Sequence, residues 1–545
     1  MAGPSRLPVR AIGLGSGSHQ GSLRRSILAA AILAASVPGL AADPVPAGDV
    51  PTAEAKAKDP AKDSAKSDPD VAKASVAELA QPQRRSIPFH GRTLAYTVTP
   101  GTLTLRNDDG APIASMFYTA YTMASAGGRA RPVTFLFNGG PGSSTMWLHM
   151  GSFGPMKVDA SIPEMARPAP FRLAANPDTL LDTSDLVFLD AITTGLSRPL
   201  GEAKPKDFFG VDKDIDAFAR GIQRYLTING RWNSPKFVIG ESYGTTRAAG
   251  LSHVLAQRGV QLNGIVLVST VLNFATIDVG DQAMVGFLPT YAADAWYHGK
   301  IIDATGTKPD LNAFLDEARA FAKGPYASAL QRGNALGEEE RRSLAMQMAR
   351  FTGLSTEFIL RSNLRVNADR FRKELLRDRR QIIGRIDSRY LGTDPDAAGE
   401  ATTSDPQASS ISGAFVGALN DYLYRDLGLK LPLSYRPNNY AGIGEEWDLT
   451  HNSVTGPQLV TDTSVDLAQT MRENPRLQLM VASGLYDLAT PFFGAEYDVG
   501  HMMLEPAVAA NIRYTFYPAG HMMYTDPASA RQMKADLFAF YASAM

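Results

Sequence analysis

The sequence contains no cysteine among its 545 residues. That excludes disulfides, thiolate metal sites, a cysteine nucleophile and a lipidated N-terminal cysteine, and it leaves the redox compartment unread. An excess of charge is also missing. The formal net charge is -1 and no basic block is long, so nothing draws in a polyanion and no nucleic-acid partner is expected. From Asp43 to about Gln83 the chain has almost no aromatic or branched apolar residues. Such a stretch cannot offset the entropy of ordering it, so 43–85 is expected to be a disordered Ala/Pro/Lys/Asp-rich linker. The rest is globular in composition, with 44% hydrophobic and 20% charged residues, enough to bury a sizeable core.

The compartment is read from the N-terminus. Arg24 and Arg25 precede the apolar run Ile27 to Ala35, followed by the small residues Gly39 and Ala41. This is the secretory order of charge, apolar segment and cleavage site, and the run is too short to span a bilayer. Residues 1–42 are therefore expected to be a signal peptide. A periplasmic or extracellular location follows, with no stable membrane anchor after cleavage. Nothing in the sequence sets the oligomeric state.

An expected catalytic domain occupies 86–545. It opens with RTLAYTVTPGTLTLRNDDGAPIASMFYTAYTM, whose alternating stretches, broken at Pro-Gly and Asp-Asp-Gly, suit antiparallel hairpins. VTFLFN, DLVFLD, KFVIG, GIVLVS, LQLMVASG and RYTFYPAG then read as buried strands. Ile215, Phe218, Ile222, Tyr225 and Leu226 place an apolar face on a helix between the second and third. Strands alternating with helices imply a mostly parallel sheet covered on both faces. About 276–420 reads instead as a helical cap insertion. Its basic run, Arg370 to Arg380, reads as a solvated helix face.

FVIGESYGTT, from Phe237 to Thr246, places Ser242 between Gly240 and Gly244, after a strand and before a helix that Gly259 can stop. A nucleophile elbow needs that context, because glycines relieve the strained turn that lifts the hydroxyl clear of the sheet. A serine hydroxyl also needs a base, and the base needs an orienting group. Of eight histidines, His521 follows the RYTFYPAG strand, and Asp487 follows LQLMVASG. Both sit where open parallel sheets place their sites, and the order Ser242, Asp487, His521 is that of α/β-hydrolases. NGGPGSS, from Asn138 to Ser144, offers backbone N–H groups for an oxyanion together with the N–H of Tyr243.

NGGPGSS, FVIGESYG, ASGLYDLATP and AGHMMY, in this order from about residue 85 to the C-terminus, resemble the serine carboxypeptidases, peptidase family S10, in a bacterial-type member. The resemblance implies an α/β-hydrolase fold with a helical insertion, acting on peptides with a free C-terminus. It implies Ser242 as nucleophile, His521 as base then acid, Asp487 as its orienter, and the N–H groups of Gly140 and Tyr243 as oxyanion donors. Asn138, the Gly139 backbone and Glu241 would hold the substrate carboxylate. No metal or cofactor enters this reading. Glu241 can meet a carboxylate only when protonated, so some acid preference is expected. The chain departs from the family at Leu136, where eukaryotic members carry tryptophan, and at Ser143, where they carry a disulfide cysteine. Ser152 stands where a second glutamate usually shares the proton of Glu241, which weakens the case for a strongly acid optimum. An esterase or acyltransferase on the same fold, and a catalytically silent binding protein, are the alternatives.

Overall fold

A computed structural model describes residues 74–125, 130–159, 163, 168–277, 280–302 and 305–545. The expected signal peptide and most of the expected linker lie outside them. The main sheet is built from β1 (Gln83–Phe89), β2 (Arg92–Arg106), β3 (Pro112–Thr122), β4 (Val133–Phe137), β5 (Asp185–Leu189), β6 (Lys236–Glu241), β7 (Gly264–Val268), β8 (Gln478–Gly484) and β9 (Ile512–Tyr517). Their order is β1-β2-β3-β5-β4-β6-β7-β8-β9, and a two-residue strand, Arg198–Pro199, also pairs with β3. The first three strands are antiparallel to their neighbours. From β5 onward every pairing is parallel. Six of these strands are the six apolar runs of the sequence.

Parallel strands are buried on both sides, so alternate residues feed two cores. Helix α1 (Met146–Gly151) follows β4. Phe135, Val238, Ile265 and Leu479 join Ile215, Phe218 and Ile222 of α2 (Val211–Ile228) and Leu251 of α3 (Tyr243–Gln257). Leu136, Ile239, Val266 and Met480 face the other way, onto Phe540 and Tyr541 of the C-terminal helix Pro527–Ala544.

Between β7 and β8 the chain passes through a run of helices that includes α4 (Gly280–Tyr297), α5 (Leu311–Phe321), α6 (Glu338–Thr352) and α7 (Ala368–Glu374). These bury a third core of Tyr291, Phe314, Phe351 and Phe371, and Tyr486 and Leu488 enter it from the loop after β8. The two neighbours of Asp487 are thus packed into the insertion. Among the described residues, no helix is long and apolar enough to cross a membrane.

Three expectations need correction. Order begins before residue 85: Glu78 bonds Arg224 and the Thr104 N–H, and Ala80 bridges to Gly101. A lone acidic residue finds distant cationic partners that composition alone does not reveal. Pro100-Gly101 is no turn, because β2 runs straight through it. The Pro100 carbonyl accepts from Gln81 N, so the missing proline N–H faces the edge segment and spares the ladder to β3. The real β1–β2 turn is His90-Gly91, both at positive φ. Finally, the basic run is not solvated throughout. Arg372 and Lys373 are buried and bind Asp405 and Asp394, which ties α7 to the chain around a small hairpin, Gln381–Ile383 with Leu391–Thr393.

Candidate active site

The end of β6 turns sharply into α3, and Ser242 occupies the corner at φ 60, ψ -131. That conformation costs a non-glycine residue about 1–3 kcal/mol and persists only where packing over-determines it. The packing is visible in the glycines. A Cβ on Gly240 would stand 2.1 Å from Gly244 O, and one on Gly139 would stand 2.5 Å from Tyr243 N. The Asn138–Gly139 backbone therefore lies directly against the first turn of α3, where N–H groups lack intrahelical partners. Gly140 follows at φ +108. Gly139 thus abuts the N–H of Tyr243, and Gly140, the other expected oxyanion donor, is the next residue along the loop.

A residue missed in the sequence fixes this arrangement. Arg247, one turn into α3 and fully buried, donates to Asn138 O at 2.7 Å and pairs with Asp214 of α2 through bonds of 2.6 and 3.2 Å. Its guanidinium lies 4.2 Å from the Phe218 ring centroid. Because the charge is paired and stacked, its burial is tolerated and the loop carbonyl is held.

Asp487 and His521 meet at the ends of β8 and β9. His521 Nδ1 lies 2.8 Å from Asp487 Oδ2, and Thr490 Oγ1 donates to the same oxygen at 2.7 Å. The other oxygen accepts from the N–H groups of Ala489 and Thr490 at 2.8 and 3.0 Å. Asp487 is wholly buried, and these donors replace its lost hydration. Burial disfavours protonation of His521, but the Asp487 charge and hydrogen bond, with Glu241 adding, outweigh it and raise its pKa above the ordinary value. Nε2 of His521 has no hydrogen-bond partner among the described residues, so Ser242 Oγ and His521 are not bonded to each other. Such bonds are often long without substrate.

Glu241, just before Ser242, is buried. Burial pushes its carboxyl up to about 7, against His521, Tyr524 and Asn138, which favour the ionised form. Tyr524 donates to Glu241 Oε2 at 2.6 Å. Ser152 is not a partner, because its hydroxyl is spent on Leu148 O at 2.5 Å. The hydrogen-bond partner of Glu241 is instead Tyr524, the last residue of the AGHMMY motif that carries His521, and as a donor it favours the ionised carboxylate rather than sharing its proton. Asn138 turns Oδ1 toward Leu148 N, 3.0 Å away.

The strand order, with Ser242 after the sheet's central parallel strand and the acid and histidine after the last two, defines an α/β-hydrolase. Within that class, the serine carboxypeptidase family model matches residues 101–349. Over that span, just under half of the chain, the sequence is similar to the serine carboxypeptidases, a family of serine-type hydrolases. The match includes Asn138 through Tyr243 but stops short of Asp487 and His521. A comparison with curated proteins found no match. Among solved structures, Kex1(delta)p, a prohormone-processing carboxypeptidase from Saccharomyces cerevisiae, is similar with TM-score 0.49 and 13% identity, covering 82% of this chain and 91% of that one. A proline iminopeptidase from Mycobacterium smegmatis is similar with TM-score 0.35 and 15% identity, covering 81% and 98%. An esterase, E22, is similar with TM-score 0.32 and 11% identity, covering 86% and 100%.

Proposed function

We propose that this chain is an exported serine carboxypeptidase that removes residues from the free C-terminus of peptides through an acyl-enzyme. Ser242 Oγ attacks the last peptide carbonyl while His521 takes its proton and passes it to the departing amino acid. Water then attacks the acyl-serine with His521 again as base, and Asp487 holds the imidazole in the required tautomer. The N–H groups of Gly140 and Tyr243 receive the oxyanion. Asn138, Gly139 and Glu241 hold the terminal carboxylate. Export rests on the ordered charge, apolar run and small residues of the first 42 positions.

The observation that carries this reading is Glu241. Its buried carboxyl stands one residue before Ser242, bonded to Tyr524, and the burial that raises it to about 7 favours a protonated form able to donate a hydrogen bond to a substrate carboxylate. Two opposing protonation states are then required. Glu241 must keep its proton, so KM rises above about pH 7, and His521 must lose its proton, so kcat falls on the acid side. Working pH lies near neutrality rather than far into acid.

The test incubates the mature protein with paired peptides, free acid and C-terminal amide, from about pH 4 to 8, and follows them by mass spectrometry. Stepwise shortening of the free acids alone is expected. Equal turnover of the amides, or cleavage of simple esters only, points to an esterase or acyltransferase. Absence of Ser242 labelling by a fluorophosphonate points to a silent binding protein.

A further inference from the structure

The chain between the insertion's two short strands runs alongside both loops of the site. Arg385 O accepts from Leu488 N at 3.0 Å, and Ile386 O accepts from His521 N at 2.7 Å. From the other side, Asp405 Oδ2 accepts from Arg385 N at 2.5 Å. The Arg385 backbone is therefore pinned next to the acid–histidine pair. Opposite it, 436–443 crosses the oxyanion loop: Asn439 N donates to Gly142 O at 2.8 Å, and Ser144 N to Pro437 O at 3.0 Å. A Cβ on Gly140 would stand 3.1 Å from the Tyr440 ring. The Arg385 charge is felt by both Tyr440 and His521, favouring ionisation of the first and the neutral form of the second. Its backbone, bonded to Leu488 and followed by the residue that binds His521, puts Arg385 at the edge of the site.

Yet the half-buried Arg385 guanidinium has no hydrogen bond or ion pair among the described residues. Its neighbours differ: Arg389 binds Asp387 and Asp526, and Arg372 binds Asp369 and Asp405. A guanidinium that has given up part of its hydration without a partner is poised for an incoming carboxylate, which it can grip with two parallel bonds. Under the proposed function the substrate's main-chain carboxylate is already met by Asn138, Gly139 and Glu241.

We propose that Arg385 receives the side-chain carboxylate of an acidic residue flanking the scissile bond, so the site favours peptides with Asp or Glu at, or next to, the C-terminus. The proposal rests on the carboxypeptidase reading. Its test measures kcat/KM for four otherwise identical peptides with Glu or Leu at the last and the penultimate position, using wild type, Arg385→Gln and Arg385→Lys. Wild type is expected to favour at least one Glu peptide over its Leu counterpart by about tenfold. Arg385→Gln should remove that preference, and Arg385→Lys should keep part of it. Comparing the two Glu positions identifies the subsite. Equal kcat/KM for Glu and Leu peptides in wild type, or an equal loss on all four in Arg385→Gln, overturns the proposal while leaving a carboxypeptidase in place. If no peptide is shortened by any form, the carboxypeptidase reading itself falls and takes this one with it.

Discussion

His521 and His451 are each 5% exposed, and each has a carboxylate at hydrogen-bonding distance from its ring. Their surroundings differ at the second nitrogen. His451 spends both: Nδ1 is 2.5 Å from Asp212 and Nε2 is 2.5 Å from Asp466. Burial lowers its proton affinity, but the two carboxylates more than reverse this and hold it at about 9. It is a charged clip joining the start of α2 to the Ser464–Glu473 helix. His521 has one carboxylate and one uncommitted nitrogen, at the end of a parallel strand and within the influence of Glu241. A buried Asp–His contact is thus common to a fastening and a candidate catalytic base, and the free nitrogen separates them.

Exchanging the two histidines tests that separation most severely. His521→Ala should lower peptide turnover by roughly 10⁴-fold or more, far beyond what any change in the melt accounts for. His451→Gln should leave turnover within about twofold and lower stability by on the order of 3 kcal/mol, because Asp466 is left buried without its cation. Steady-state kinetics beside thermal melts checks both. Their carboxylates give the next contrast. Asp487→Asn should cost about 10⁴ in kcat through the wrong tautomer, whereas Asp466→Asn should appear only in the melt.

The pH dependence of stability sharpens the same contrast at smaller scale. The folded pKa of His451, about 9, lies above the ordinary value of about 6.5, so protonated His451 stabilises the fold. That contribution is complete below about pH 6.5, shrinks as pH rises, and is gone above about 9. With Asp212 partly in solvent, a loss on the order of 2 kcal/mol is expected from denaturant unfolding between those limits, and it should be absent in His451→Gln. The smallest effect concerns Tyr524. Tyr524→Phe removes a hydrogen bond that favours ionised Glu241, so the rise of KM with pH should move to higher pH, by less than about one unit. A downward shift would contradict the assigned contact.

Much of the fold was legible because doubly buried parallel strands are apolar runs, and a strand-turn-helix elbow needs its glycines close together. The order of Ser242, Asp487 and His521 was legible for the same reason, each following such a run. What escaped notice depends on partners far apart in the chain. Tyr524 lies far from Glu241 in sequence, whereas the family resemblance points to Ser152. Arg247 reads locally as an ordinary helix residue, since nothing near it announces Asp214 and the Asn138 carbonyl. Pro100 reads as a turn until the edge segment is known to absorb its missing N–H. Local rules fail at these places because a distant group changes what the residue faces.

The backbone bonds from Arg385 to Leu488 and from Ile386 to His521 carry a consequence for engineering. They make the insertion a structural brace for the chemistry rather than a detachable cover. Trimming it to obtain a smaller hydrolase, or exchanging it for another protein's cap, would take away the hydrogen bonds that hold the histidine loop and the acid loop in common register. A chimera would therefore need to carry the short segment from Gly384 to Tyr390 intact, whatever else of the cap it replaced.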